Sequence, residues 1–251
     1  MPCNECRRHF VAGVIVEGSS LSRPTIFCLT AMFSSRLPTT SQADIHPRLE
    51  MLLRRHRATP WQAPLRQFSL SAFKRAETFI GNHPHLVLDS GCGTGHSTAW
   101  LANALPHALV IGIDQSADRL SRAPALPDNA LLIRAELADF WRLAREAQWP
   151  VERHYLLYPN PWPKPAHVQR RWHGHPVFPM LLDLGGRLEL RTNFLLYAEE
   201  FVWALTASGH ADAQVLRLPT GEPVSAFERK YQNSGHPLYQ VVVNLSDGVK
   251  T

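Results

Sequence analysis

An acidic residue followed by a glycine-rich turn is the part of this sequence best suited to ligand chemistry. Residues 86–96 read LVLDSGCGTGH, so Asp89 precedes Gly91, Gly93 and Gly95. Glycines allow a sharp turn and a close approach of the backbone to a ligand. Dinucleotide-binding turns instead read Gly-x-Gly-x-x-Gly and rest a pyrophosphate on a helix N-terminus. We therefore expect S-adenosylmethionine, which has no pyrophosphate, with Asp89 pairing with the ammonium group of its methionine part.

Two further carboxylates follow the next apolar runs. Asp114 ends the run VIGID, where it would accept hydrogen bonds from both hydroxyls of a ribose. Glu136 follows the third run and is predicted to lie near the adenine, although a solvated carboxylate at a helix start is equally consistent with its position. A tight turn with a surface carboxylate would explain either motif alone. Both motifs together favour a cofactor site.

A proline-rich loop follows the fourth apolar run. Residues 158–171 read YPNPWPKPAHVQRR, so prolines stiffen a segment that is also aromatic and basic. Loops at the carboxyl ends of the strands in open α/β sheets carry the chemistry of such proteins. Trp162 could stack on a base, and Lys164, Arg170 and Arg171 could hold phosphates. A rigid loop around a buried tryptophan is the alternative.

Apolar runs that alternate with helical patterns must position these residues. Apolar residues at helical spacing predict an arginine-rich helix over 46–57 and a second helix over 70–80. Strands are predicted over 86–89, 109–114, 131–134, 154–158 and 187–191. This alternation is typical of a parallel sheet covered on both faces. The runs 214–218 and 239–245 have no obvious helix between them and are predicted to pair as an antiparallel hairpin at a sheet edge.

The sequence around the proline-rich loop resembles the tRNA (guanine-N7) methyltransferases, the TrmB family. That family has a Pro-Asp-Pro-Trp-x-Lys stretch followed by His and an Arg-Arg pair, and residues 159–171 match it nearly throughout. Further matches lie at 184–186, 191–193, 197–199 and 225–230, so the resemblance covers about residues 80–245. It implies a Rossmann-like class I α/β fold, with a mostly parallel seven-stranded sheet and helices on both faces. It also implies S-adenosylmethionine as cofactor and N7 of a guanosine in the variable loop of tRNA as the target.

The resemblance further implies roles for individual residues. Asn160 is the candidate catalytic residue that orients the target, and Glu228 is the carboxylate left to bind the base edge of guanine. The predicted substrate-binding residues are Lys164, Arg170, Asn193, Ser225, Phe227 and Glu228. Asn160 and Asn193 stand where the family has aspartates, and Ala226 stands where it has a lysine. The two lost carboxylates remove negative charge from a site where a purine becomes cationic.

Two other functions are consistent with these departures. Asn160, a proline and an aromatic residue are similar to the Asn-Pro-Pro-Tyr loop of nucleic-acid amino methyltransferases, so the target could be an exocyclic amino group or another position of a nucleic acid. The chain could instead bind RNA or the cofactor without transferring a methyl group. A nicotinamide oxidoreductase is disfavoured by the glycine spacing.

Charge is unevenly distributed along the 251 residues, whose net charge is +5. Residues 1–75 contain 11 Lys and Arg against 4 Asp and Glu, a net charge of +7, and the remainder has −2. We predict a flexible basic arm over 1–45 and one methyltransferase domain over 46–251. Residues 1–31 are expected to be disordered or to precede the true start at Met32. The arm suits a phosphate-bearing partner such as tRNA, and a solvated tail is the alternative.

Cysteines and hydropathy set further expectations. Four cysteines do not form a disulfide framework in a chain of this size, and the pair Cys3 and Cys6 with His9 has no second pair at zinc-ribbon spacing. We therefore predict no metal, either there or at the cluster His167, His173 and His175. No run of about 18 uncharged apolar residues is present, so we expect a soluble, cytoplasmic protein without membrane contact. A monomer or homodimer is expected.

Overall fold

A seven-stranded sheet forms the centre of the computed structural model, which describes residues 35–245. The strands are β1 (Leu86–Ser90), β2 (Leu109–Asp114), β3 (Ala130–Arg134), β4 (Val151–Leu157), β5 (Arg187–Thr192), β6 (Val215–Arg217) and β7 (Tyr239–Asn244). Their order is β3-β2-β1-β4-β5-β7-β6. The first five strands are parallel, and β7 runs antiparallel to both β5 and β6. The predicted mostly parallel seven-stranded sheet is confirmed.

Helices cover both faces of this sheet. They are α1 (Leu49–Ala58), α2 (Gln67–Ile80), α3 (His96–Ala104), α4 (Ala117–Leu120), α5 (Leu137–Glu146), α6 (Phe178–Leu182), α7 (Leu195–Ala207) and α8 (Ala226–Asn233). Alternate strand residues enter two separate apolar clusters, as the period of two in a strand requires. Residues of α1, α2, α5, α6 and α7 pack in the larger cluster, and residues of α3 pack in the smaller one. No helix in the described part is both long enough and apolar enough to cross a membrane.

Residues 35–45 contact the domain that follows them in the chain. The side chain of Gln42 donates a hydrogen bond to Glu200 at 2.6 Å, and the backbone N–H of His46 donates to the same carboxylate at 3.0 Å. The backbone N–H of Ser35 donates to Ser234 at 3.1 Å. Residues 35–45 therefore lie against the domain, although the predicted arm included them. The rest of that arm, with the pair Cys3 and Cys6 and the proposed start at residue 32, lies outside the described residues.

The predicted terminal hairpin is correct in its pairing and wrong in its connection. Strands β6 and β7 are antiparallel neighbours. However, helix α8 lies between them in the chain, and β7 inserts between β5 and β6. Ser225 caps this helix by accepting a hydrogen bond from the backbone N–H of Glu228 at 3.1 Å. Ser and Glu three residues apart are the sequence pattern of a capping box, which predicts a helix start.

A buried polar group lies where β1, β4 and α5 meet. The hydroxyl of Ser90 accepts a hydrogen bond from the indole N–H of Trp141 at 2.9 Å and lies 2.7 Å from Nε2 of His154. Burial lowers the pKa of His154 to about 3, so the ring is neutral at pH 7. Burial similarly lowers the pKa of His175 to about 4. Both rings are therefore neutral parts of the folded structure.

The free energy of unfolding is expected to fall as the pH decreases from 7 to 4.5. When the pKa of a histidine is lower in the folded state, its contribution to stability is fully present at pH values above the unfolded pKa of 6.5. The contribution is lost as the pH falls below 6.5, because the unfolded chain then binds a proton that the folded state does not. In this pH range, each such histidine lowers the free energy of unfolding by up to about 1.4 kcal/mol per pH unit. Urea denaturation at several pH values measures the slope. His154→Gln should flatten it and the exposed control His107→Gln should not, whereas equal slopes would contradict the prediction.

Candidate functional site

The glycine-rich turn joins β1 to α3 and is hydrogen-bonded to β2. Gly91, Gly93 and Gly95 have φ values of +82°, +60° and +75°. Residues with a Cβ rarely adopt this left-handed region. The backbone N–H groups of Gly91 and Cys92 both donate to the carbonyl of Ile113, at 2.8 and 3.0 Å. A Cβ at Gly95 would lie 2.7 Å from the side chain of Leu132. The turn therefore requires glycine for both its conformation and its packing.

Asp89 is buried at the end of β1, below this turn. Its Oδ2 accepts hydrogen bonds from the hydroxyls of Ser97 and Thr98 at 2.6 and 2.7 Å. Its Oδ1 is also buried and has no hydrogen-bond partner among residues 35–245. Burial raises the pKa of Asp89 to about 6 in spite of the two hydroxyls. A buried carboxylate oxygen without a partner fits a ligand that brings a cation, as the ammonium group of S-adenosylmethionine does.

Asp114 lies at the end of the neighbouring strand β2 and contacts the same turn. Its Oδ2 accepts the backbone N–H of Gly93 at 3.0 Å, and its Oδ1 accepts that of Ser116 at 2.8 Å. Each oxygen keeps a second lone pair, so a ribose hydroxyl can still donate to it. The guanidinium of Arg119 lies 3.5 Å from Oδ2. Glu136, the residue before α5, is half-buried and does not line the cleft described next.

A cleft opens above the glycine turn. The predicted residues Gly91, Gly93, Ser225 and Phe227 line it. Its other walls are Cys92, Thr94, His96, Ser97, Leu157, Ala226 and three cations, Arg119, Arg122 and Lys230. The ring of Phe227 is 41% exposed and comes within 4.0 Å of a Cβ placed on Gly93. Sequence patterns did not indicate the three cations, because tertiary packing brings α8, which carries Lys230, against the segment that contains Arg119 and Arg122.

The proline-rich loop begins at the end of β4, directly after Leu157. Tyr158 and Trp162 have left-handed φ values of +53° and +42°, which are uncommon for residues other than glycine. The exposed Asn160 accepts a hydrogen bond from the backbone N–H of Trp162 at 3.3 Å. The guanidinium of Arg170 lies 4.7 Å from the centre of the Trp162 ring. Lys164 and Arg170 are exposed, so both are available to phosphates.

Arg171 is not available to phosphates, so its predicted role is wrong. Its side chain is fully buried and pairs with the buried Glu200 on α7. The guanidinium also donates to the carbonyls of Trp162 and Pro163, at 3.1 and 3.4 Å. Burial raises the pKa of Glu200, but the hydrogen bond from His173 and the charge of Arg171 lower it to about 2. Arg171 is therefore an internal support of the proline-rich loop.

Glu228 also points inward, which does not fit its predicted contact with guanine. The side chain is buried, and both carboxylate oxygens accept from Arg191, at 3.0 and 3.1 Å. The hydroxyl of Tyr158 donates to the same carboxylate at 3.0 Å. Burial and the neighbouring Glu228 raise the pKa of Tyr158, so its hydroxyl keeps the proton that it donates. Glu228 therefore connects α8 to the start of the proline-rich loop.

Tyr158→Phe is expected to lower kcat by about 10-fold to 100-fold, because a small displacement of a positioning element has effects of this size. The affinity for S-adenosylmethionine should remain within about twofold, since Tyr158 does not line the cleft above the glycine turn. Steady-state kinetics and calorimetry measure the two quantities. Tyr231→Phe, which retains a ring that packs 5.4 Å from that of Tyr158, is the control. An unchanged kcat in Tyr158→Phe would show that the hydrogen bond does not position the loop.

Asn193 follows β5 and is buried near the N-terminal segment. His236 Nε2 lies 2.8 Å from the carbonyl of Ser35, so Nε2 carries the proton and Nδ1 accepts. The amide of Asn193 donates to this Nδ1 at 3.1 Å. Its predicted contact with substrate stays a prediction.

The described residues contain no group of three or more His, Cys, Asp or Glu that could hold a metal ion. The absence of a metal stays a prediction. His173 is instead buried against Glu200.

Comparison with known proteins supplies independent information. The family model described as "Putative methyltransferase" matches residues 83–241, more than half of the chain. A tRNA (guanine-N(7)-)-methyltransferase of Mycobacterium ulcerans is 28% identical over an alignment that covers 66% of this chain and 65% of the relative. The alignment thus spans slightly less than two thirds of that relative's length. A protein of the same name from Nocardia farcinica is 31% identical, with 66% of this chain and 70% of the relative covered.

A solved structure is similar in fold. A variant of the 16S rRNA (adenine(1408)-N(1))-methyltransferase from Catenulisporales acidiphilia, crystallised with the cosubstrate, superposes with a TM-score of 0.52. The superposition covers 71% of this chain and 93% of that structure, at 14% sequence identity. At this identity the similarity concerns the fold alone, and the fold is that of the Rossmann-like class I methyltransferases.

Proposed function

Because this chain belongs to the TrmB family of S-adenosylmethionine-dependent methyltransferases, we propose that it transfers a methyl group to N7 of a guanosine in tRNA. The relatives named as tRNA (guanine-N(7)-)-methyltransferases support the choice of substrate. The observation that carries the proposal is the position of Leu157. This residue lines the cofactor cleft and is also the last residue of β4, so the proline-rich loop starts at the wall of the cleft.

The residues around the glycine turn hold the cofactor. When bound, S-adenosylmethionine supplies the methyl group on its sulfonium. The free Oδ1 of Asp89 pairs with the ammonium group, and the remaining lone pairs of Asp114 accept from the ribose. Gly91 and Gly93 line the cleft and admit the ligand because they have no side chains, and Gly95 lets the turn pack against Leu132. Glu136 is proposed to lie beside the adenine from its place before α5.

The residues around the proline-rich loop orient the target. Guanine N7 has a lone pair and no proton, so its methylation requires alignment with the methyl group more than it requires a base. Asn160 is proposed to orient the purine, with Lys164 and Arg170 holding neighbouring phosphates. Phe227, with its exposed ring, offers a stacking surface at the cleft, and Ser225 fixes the helix that carries it. Asn193 is proposed to contact the substrate, and Glu228 acts through Tyr158 rather than on the base.

Nucleoside analysis tests this proposal. Purified protein is incubated with unmodified tRNA and isotope-labelled S-adenosylmethionine. The digested nucleosides are separated by liquid chromatography against methylated-nucleoside standards and identified by mass spectrometry. Label in 7-methylguanosine is expected. Label in an N-methylated exocyclic amine would assign the amino-methyltransferase alternative instead. No label, together with calorimetric binding of S-adenosylmethionine, would indicate a binding protein without turnover, and Asn160→Asp would then be tested for restored transfer.

A further inference from the structure

Helix α1 presents a row of arginines that the proposed reaction does not use. Leu49, Leu52, Leu53 and His56 form its buried side. Arg48, Arg54, Arg55 and Arg57 are exposed on the remaining surface. The side chain of Met51, between them, is 51% exposed. The exposed side of this amphipathic helix thus carries four arginines and one acidic residue, Glu50.

These charges are only partly neutralised by the protein itself. Arg54 pairs with Glu50, but both side chains are exposed, so the pair contributes little. Arg57 reaches only the backbone carbonyl of Ser208, at 3.4 Å. Within residues 35–245, the side chains of Arg48 and Arg55 form no ion pair. Unpaired like charges on one helix repel each other, which is a cost that an anionic partner removes.

The helix is held firmly next to the segment that follows the proline-rich loop. A short 3₁₀ helix, Pro165–Arg170, contains Arg170, and a second, Trp172–Gly174, packs against α1. The ring of His56 lies 3.2 Å from the carbonyl of Gly174 and is buried, so α1 is fixed to this segment. The second 3₁₀ helix therefore connects α1, with its arginines, to the part of the chain that carries the exposed Lys164 and Arg170.

We propose that the exposed side of α1, with Arg48 and Arg55 at its centre, is a second binding surface for RNA phosphates, outside the methyl-transfer site. These two residues are seven positions apart on one face, about 10 Å along the helix axis. Guanidinium groups bind phosphate oxygens through two parallel hydrogen bonds. The surface increases affinity and fixes orientation without reading sequence. The identity of the anionic partner rests on the proposed function, whereas the arrangement of charges does not.

The salt dependence of RNA binding tests this inference. Dissociation constants of the full-length protein for unmodified tRNA are measured by fluorescence anisotropy from about 50 to 250 mM salt. Arg48→Gln/Arg55→Gln should reduce the slope of log K against log salt by about 2, because each lost phosphate contact removes about 1. The matched control is Lys74→Gln/Arg217→Gln, which removes two exposed cations from α2 and β6. Its slope should equal that of the parent.

Kinetics separate this inference from the proposed function. The arginine variant should raise KM for tRNA and leave kcat and the affinity for S-adenosylmethionine unchanged. If the arginine variant is folded and its slope of log K against log salt is unchanged, the inference is overturned. An acidic protein would then be the partner to test for α1. Equal loss in the control pair also overturns it, since the effect would then be one of net charge. A reduced slope without any methylated nucleoside supports the surface and rejects the proposed reaction.

Discussion

Asp89→Asn is expected to weaken the binding of S-adenosylmethionine by at least about 30-fold, because removing one partner of a buried charged pair costs about 2–5 kcal/mol. The substitution keeps the shape of the side chain and an oxygen that accepts from Ser97 and Thr98. It removes only the negative charge that Asp89 carries beneath the glycine turn. Isothermal calorimetry with S-adenosylmethionine and with its demethylated product measures the loss.

The same substitution should leave the free protein at least as stable as the parent at pH 8. The pKa of Asp89 is raised from 3.8 to about 6, so the folded state favours the protonated acid. Stability from this group is present below pH 3.8 and is lost as the pH rises through 6, at about 1.4 kcal/mol for each pH unit between the two values. An uncharged amide avoids this loss, so the stability advantage of Asp89→Asn should disappear near pH 4. Urea denaturation at both pH values measures it.

The control for this pair of measurements is Asp212→Asn, at an exposed position. It should change neither affinity nor stability by more than about 0.5 kcal/mol. The affinity of the parent for S-adenosylmethionine should itself decrease as the pH falls below about 6, whereas that of Asp89→Asn should not follow the same titration. An Asp89→Asn protein that is folded and binds like the parent would contradict the assignment of Asp89 to the ammonium group.

Arg171→Met is expected to destabilise the protein by about 3–5 kcal/mol, the usual cost of leaving a buried charge without its partner. Glu200 would remain buried, and the carbonyls of Trp162 and Pro163 would lose their donor. The adjacent Arg170 is exposed, so Arg170→Met is a matched control and should change stability by less than about 0.5 kcal/mol. Urea denaturation gives both values.

A second variant distinguishes loss of the pair from loss of packing. Arg171→Met/Glu200→Gln removes both charges, and it should be less destabilised than the sum of the two single substitutions. In that double variant the carbonyl of Trp162 in the proline-rich loop still lacks the donor that Arg171 supplied. We therefore expect kcat to stay lowered even though stability is partly recovered. Equal stability of Arg171→Met and Arg170→Met would show that the buried ion pair does not hold the loop.

The contrast between Arg170 and Arg171 shows what local sequence could not predict. Both residues are arginines in one basic motif, yet one is exposed and the other is fully buried. The difference arises from Glu200, which lies 29 residues away on α7. A contact of this kind depends on tertiary packing, so no periodicity or spacing around residue 171 indicates it.

The conformation of the glycine turn was predictable because its determinants are local. A left-handed backbone requires glycine, and the acidic residues at the ends of β1 and β2 lie beside the turn that they serve. The three cations of the cleft were missed because they lie on or after α4 and on α8, which meet only through tertiary packing, and α8 itself was not expected. Its eight residues were too short to show a clear period, although the cap formed by Ser225 and Glu228 marks its start.

A crystal structure of the complex with S-adenosylhomocysteine tests most directly the claim that the glycine turn seats the cofactor. The ammonium group is predicted to lie within hydrogen-bond distance of Asp89 Oδ1, with the ribose hydroxyls on Asp114. A ligand bound away from the turn, with Oδ1 of Asp89 still lacking a partner, would contradict it.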